Sequence, residues 1–128
     1  MEDVFQKLIL MIRAYYPVLY LHSYEYYRTK QKIKGIVELL RREGKKVNYY
    51  QWDCVYGLVQ ILPDKTEKRI ERMQNPLEVL AYILNSKKSG EKNIFVLDEI
   101  YNHIDRDEVK LMFRKIAEAT NNNTHAII

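Results

Sequence analysis

The sequence predicts an α/β domain in three layers, a mainly parallel sheet flanked by helices. Two patterns carry that expectation. Short apolar runs at residues 18–21, 47–52, 94–97 and 125–128 alternate with stretches whose apolar residues recur at i, i+3 and i+4. The first and third runs are also apolar without alternation, as expected of strands buried between helical layers and joined by right-handed crossovers.

The elements follow in order. Asp3 caps a helix carrying Phe5, Leu8, Ile9 and Ile12, and Pro17 ends it by excluding the α conformation from the residue before it. Residues 18–21 form the first strand. Ile33, Ile36, Val37 and Leu40 then mark an amphipathic helix that closes on Arg41, Arg42 and Gly44. The aromatic, β-favouring residues 47–52 form the second strand, and residues 57–62 add a short extended piece before Pro63. Residues 64–74 are charged and are expected to be an exposed loop or a frayed helix.

Asn75, Pro76 and Glu78 supply a cap, a proline at the first helical position and an acid three residues after the cap. The inner face of this third helix is expected to be Leu77, Leu80, Ala81 and Leu84. Residues 86–92 are the turn out of it, and residues 94–97 are the third strand. Asp105 and Glu108 repeat the cap spacing before Val109, Met112, Phe113 and Ile116, Asn121 to Asn123 close that helix, and residues 125–128 form the fourth strand.

Composition sets the class. The chain has 128 residues, 47% hydrophobic and 30% charged, with four Gly and three Pro, which suits one compact domain over residues 1–128 and argues against disorder. One cysteine, Cys54, and no signal-like start point to a reducing, cytoplasmic setting. The run 8–21 is broken by Arg13 and Pro17, short of the ~20 apolar residues that span a bilayer, so no membrane span is expected. Eleven tyrosines, including Tyr49, Tyr50 and Tyr56, suit a core with hydroxyls at its rim. A buried strand as the last residues suggests a fragment of a longer protein.

The sharpest motif is residues 94–99, IFVLDE: four apolar residues, then Asp98 and Glu99 at the carboxyl end of a strand. This is the Walker B pattern, in which the aspartate holds the magnesium shell and the glutamate orients the attacking water. Its partner is missing. Phosphate binding needs a Gly-x-x-x-x-Gly-Lys-Ser/Thr loop after the first strand, and here the residues are His22, Ser23, Tyr24, Glu25, Tyr26, Tyr27, Arg28 and Thr29. No glycine precedes Gly35, and Glu25 would oppose a phosphate. ATP hydrolysis by this chain is therefore not expected, no residue is assigned a catalytic role, and Asp98 and Glu99 are vestigial.

The blocks 17–28 (PVLYLHSYEYYR), Trp52 with Gly57 and Leu58, 76–83 (PLEVLAYI) and 94–109 (IFVLDEIYNHIDRDEV) resemble the amino-terminal domain of a family of AAA-type ATPases. That family includes a conserved open reading frame product of algal chloroplast genomes and its bacterial relatives. The resemblance implies a degenerate P-loop-like fold with strand order 1-4-3-2, a truncated sheet, and a regulatory or interaction role without catalysis. It also implies that an intact carboxyl-terminal AAA module is the partner, and that ATP and Mg belong to that module. A strand missing from the sheet would leave the first strand at an edge, open to pairing in a homo-oligomer.

Other chemistries carry less. His22 and His103 with Asp98, Asp105 and Asp107 lack zinc spacing, Asp105 is better used as a cap, and Cys54 has no aligned base. The acid pair of a receiver domain is absent after the first strand. Net charge is +4. The alternative from another class is a nucleic-acid-binding module, with Lys30, Lys34, Arg41 and Lys45 along one helix face as its contacts. A solvated amphipathic helix gives the same spacing and is favoured.

Overall fold

A computed structural model describes residues 2–13, 18–19, 26–44, 46–64, 66–71, 74–86, 92–98, 100–103, 105–118 and 124–127. The helices are α1 (Glu2–Arg13), α2 (Tyr26–Arg42), α3 (Pro76–Ser86) and α4 (Asp107–Glu118), and the strands are β1 (Val18–Leu19), β2 (Val47–Asp53), β3 (Gly57–Ile61), β4 (Glu67–Glu71), β5 (Lys92–Leu97) and β6 (Thr124–Ile127). A 3-10 turn, Ile100–His103, links β5 to α4.

The six strands form one sheet in the order β1-β6-β5-β2-β3-β4. Pairing is parallel from β1 through β6 and β5 to β2, then antiparallel from β2 to β3 and β3 to β4. The sheet is therefore mixed, which corrects the expectation of a four-stranded, mainly parallel one. The four expected strands lie side by side, and two more extend the sheet beyond β2.

The extension has a local cause. Asp53 Oδ1 accepts hydrogen bonds from the backbone N–H groups of Val55 and Tyr56 at 2.8 and 2.7 Å, and Gly57 takes φ 81°. A three-residue loop closed by a left-handed glycine turns β2 back into β3. A second turn follows, where the Asp64 carboxylate accepts from the Thr66 N–H at 3.0 Å and from its hydroxyl at 2.6 Å, and the Leu62 N–H donates to the Thr66 carbonyl. Residues 67–71, expected to be loop or helix, thus form β4. Its charged residues Glu67, Lys68, Arg69 and Glu71 are the kind that keep an edge strand from pairing further.

Strand alternation sorts the core into two clusters. Val47 and Tyr49 of β2 and Ile94 and Val96 of β5 face α1 and α2, where Ile12, Ile33, Ile36 and Leu40 cover them. Tyr50 and Trp52 of β2 and Phe95 and Leu97 of β5 face α3 and α4, against Val79, Leu80, Ile83, Val109 and Ile116. Every residue of β5 is buried, as its central place requires. Phe95 and Leu97 have essentially no exposure; the side chains of Leu19 and Leu21 lie outside the described residues.

Two helix expectations shift. The buried face of α3 is Val79, Leu80 and Ile83, with Leu77 and Leu84 half-buried and Ala81 exposed. The inward stripe is rotated toward Pro76 and Val79, which are one turn apart and both buried. In α4 the Lys110 N–H bonds the Arg106 carbonyl, so Arg106 rather than Asp105 is the cap residue. The Asn75 cap holds as expected, its Oδ1 accepting from the Leu77 N–H at 3.0 Å. At the end of α2, Gly44 at φ 86° provides the expected stop. Among the described residues no helix is long and apolar enough to cross a membrane.

Candidate functional site at the carboxyl end of β5

Asp98 follows the last residue of β5, and its N–H donates to the Trp52 carbonyl at 2.9 Å, extending the β2–β5 ladder by one bond. Leu97 faces α3 and α4, so alternation sends Asp98 to the opposite side, where α2 lies. There its carboxylate forms an ion pair with Lys30, in the second turn of α2. Asp98 is 17% and Lys30 30% exposed in their side chains. The pair is sheltered without being sealed, and it joins the start of α2 to the end of the central strand.

The surroundings feel that carboxylate. Tyr49, on β2 and on the same face, has its pKa pushed up to about 12, first by burial and further by the charge of Asp98. A hydrogen bond from Gln51 Nε2 to the Tyr49 hydroxyl, 2.9 Å, works in the other direction. Asp53 ends β2 next to the end of β5, but its carboxylate is occupied by the two N–H groups of its own turn. Two acids therefore stand at neighbouring strand ends, one neutralised by a lysine and one bound to backbone. No group of three or more His, Cys, Asp or Glu able to hold a metal ion occurs among the described residues.

The sequence-derived candidates divide accordingly. Glu99 and Lys45 lie outside the described residues, as does His22. Lys30 is committed to Asp98. Arg41 is half-buried and donates from Nε and Nη2 to the Val47 carbonyl at 3.2 and 2.9 Å, stitching the end of α2 to the start of β2. Burial lowers the pKa of Arg41, with Glu38 opposing the shift. Lys34 is half-buried on α2. Two of the four basic candidates are thus held inside the fold, which breaks the continuous basic face that the helical spacing suggests. Cys54 is exposed at the β2–β3 turn.

Sequence reasoning missed the Lys30–Asp98 pair. A lysine early in the helix that follows the first strand, with an aspartate at the end of a buried strand, was a usable signal, but spacing alone does not say which lysine turns inward. The Asp53 turn was also missed, although an aspartate four residues before a glycine announces it.

These features define an α/β domain with helices on both faces of a mixed sheet and an internally neutralised acid at the end of its central strand. The chain belongs to the family described as the SpoVK-like AAA ATPase, N-terminal domain, whose model matches residues 4–128. No curated protein and no solved structure matches it.

Proposed function

We propose that this domain serves an AAA ATPase as a non-catalytic regulatory or interaction domain, built on a P-loop-like sheet that no longer handles nucleotide. The observation that carries the reading is the Lys30–Asp98 ion pair. A working Walker B aspartate directs its charge toward a magnesium ion, whereas here an amino group of the same chain takes that charge. The sequence after β1 has no glycine-rich loop to supply phosphate-binding N–H groups. ATP and Mg then belong to a carboxyl-terminal AAA module of the same protein, which is the first partner of this domain, in the cytoplasm. β1 stands at the edge of the sheet and is the strand through which a second copy would pair.

The test is thermal unfolding of the chain with Mg-ATP. A ligand stabilises only what it binds, so the melting temperature stays unchanged as Mg-ATP rises to millimolar concentration. A concentration-dependent rise that Asp98→Asn abolishes would overturn the reading and restore a working site.

A further inference from the structure

α1 is apolar on both of its sides. Ile12 is fully buried in the cluster it shares with α2 and the sheet, and Ile9 packs against that cluster. Successive helical residues turn by about 100°, so Leu10 and Met11 leave this inner face, and they stand 64% and 40% exposed. Leu10 is the most exposed large apolar side chain among the described residues. Gln6 and Lys7, one turn earlier, are exposed with them. A surface helix ordinarily turns a polar face to water, and here two large apolar side chains interrupt it.

The place of α1 in the fold decides what can reach that face. α1 packs against α2. The β4 side of α2 borders an open groove of ≈ 450 Å³, with Lys34, Gly35 and Glu38 on one wall and Ile61, Leu62 and Pro63 of the β3–β4 hairpin on the other, and no described residue of α1 lines it. α1 therefore lies on the β1 side of α2. Only residues 14–17 separate it from Val18, a reach of at most about 18 Å, so the helix ends beside the edge of the sheet. The two edges differ in kind. β4 carries Glu67, Lys68, Arg69 and Glu71, whereas β1, Val18–Leu19, has no charge.

Charge adds the third observation. A second copy that pairs antiparallel with β1 is related to the first by a two-fold axis perpendicular to the sheet. Both copies then keep α1 on the same face, and the two α1 helices run antiparallel across the axis. The sequence of α1 complements itself in that arrangement. Glu2 and Asp3 stand in its first turn and Arg13 in its last, so the acidic end of one helix lies beside the basic end of the other. The two helix dipoles also oppose each other. A parallel pair would set like ends together.

We propose that the Leu10–Met11 face of α1 forms one half of a symmetric dimer interface, the edge of β1 forming the other half, and that its occupant is a second copy of this chain. Such a dimer rests on the β1 pairing read above and completes it. A strand of two residues offers few hydrogen bonds to a partner, and burying an exposed leucine and methionine from each copy supplies the apolar area that the strand contact lacks. The other exposed apolar side chains stand apart from this edge, Val55 and Tyr56 at the β2–β3 turn and Leu111 on α4, across the sheet.

The experiment is sedimentation equilibrium of the 128-residue chain over a range of concentrations. A reversible monomer–dimer equilibrium is expected, and Leu10→Glu and Met11→Glu should each raise its dissociation constant at least tenfold. Leu111→Glu, on the other side of the sheet, should leave it unchanged. All three positions are exposed in the single chain, so circular dichroism and melting should match those of the unaltered protein, and if Leu10→Glu fails to fold, Leu10→Gln takes its place. A dimer that survives both α1 variants overturns the α1 interface and leaves the β1 pairing standing. A monomer at every concentration overturns both. A dimer lost in Leu111→Glu and kept in the α1 variants assigns the contact to α4 and overturns the α1 interface. Flotation with vesicles of equal parts phosphatidylcholine and phosphatidylglycerol tests the other apolar occupant, and a monomer that floats unless Leu10 is replaced by Glu assigns the face to a lipid surface and overturns it too. None of these outcomes touches the Mg-ATP result, so the dimer can fail while the non-catalytic reading stands.

Discussion

On the α3–α4 side of the sheet Tyr50 and Phe95 stack at 4.4 Å with their planes 8° apart, and Tyr82 meets both edge-on at 6.2 Å. Trp52 and Leu97 complete that layer without exposure. On the α1–α2 side the packing is mostly aliphatic, with Ile12, Ile33, Ile36 and Leu40 around the single ring of Tyr49, and it is interrupted by polar arrangements: the Lys30–Asp98 pair, Arg41 on the Val47 carbonyl, and the open groove between α2 and the β3–β4 hairpin beside Gly35. The same two strands supply both sides through alternate residues. One face is devoted to packing, and the other combines its own buried cluster with every charged feature of the candidate site. The stacked aromatic packing and the charged arrangements of the candidate site are thereby placed on opposite sides of one sheet.

That division is most readily broken at Phe95. Phe95→Ala removes a stacked ring from a fully buried position and is expected to cost roughly 3–5 kcal/mol in urea denaturation, the range for aromatic truncation. Leu97→Ala on the same strand face should cost roughly 2–5 kcal/mol. Ile36→Val on the other face should cost only about 0.5–1.5 kcal/mol. If Phe95→Ala cost no more than Ile36→Val, which removes a single methyl group, the stacked ring would contribute little to the fold.

Alkaline pH probes the second face. Tyr49 keeps its proton in the folded chain up to about 12, while the unfolded phenol loses it near 10. Between those values the unfolded state has fewer protons, so stability falls as pH rises. By about pH 11 the loss attributable to this group is about 1.4 kcal/mol, the equivalent of one pKa unit. Tyr49→Phe should flatten that part of the pH profile, and a spectroscopic titration should lose a tyrosine that titrates at about 12. An unchanged alkaline slope in Tyr49→Phe would show that the hydroxyl is not held in a dry, negatively charged setting.

Which parts of this arrangement could be seen in the sequence follows from how local their causes are. The Asn75 cap, the Gly44 stop and the apolar strand 94–97 are written in neighbouring residues; the two ends stand where the sequence puts them, and the strand does too, extended back through Asn93 to Lys92. β4 could not be read that way. Its residues, Glu67, Lys68, Arg69, Ile70 and Glu71, carry no apolar alternation, and they are strand because two turns fold them against β3. Tertiary pairing overrides a charged composition there. The same holds at the site. Asp98 was visible from the four apolar residues before it, but Lys30 lies far away in the chain, and only the fold shows that it turns toward Asp98 instead of toward solvent.

Gly35 sharpens the contrast with a smaller effect of the opposite sign. Because an added Cβ meets open space, Gly35→Ala should raise stability by about 0.5–1 kcal/mol through helix propensity alone. Denaturant midpoints of the two proteins would measure it. A loss of stability instead would mean that the glycine answers a structural need within the domain.

The smallest expected effect is at the ion pair itself. Lys30 and Asp98 are both partly exposed, and pairs of that kind contribute about 0.2–1 kcal/mol once solvent screening and side-chain ordering are counted. A double-mutant cycle with Lys30→Met, Asp98→Asn and the double variant isolates the coupling, which should fall in that range and shrink at high salt. Such a value would say that the pair is not a pillar of stability, in keeping with the division between the two faces. A coupling of several kcal/mol would contradict that division, because it would make the α1–α2 face as important to folding as the aromatic one. The same variants test the neutralisation argument. With Lys30 in place Mg alone should leave the melting curve unmoved, since Asp98 already has its cation. If Mg stabilises the unaltered chain as strongly as it does Lys30→Met, the lysine does not take the place of a metal there, and the acid at the end of β5 must be open after all.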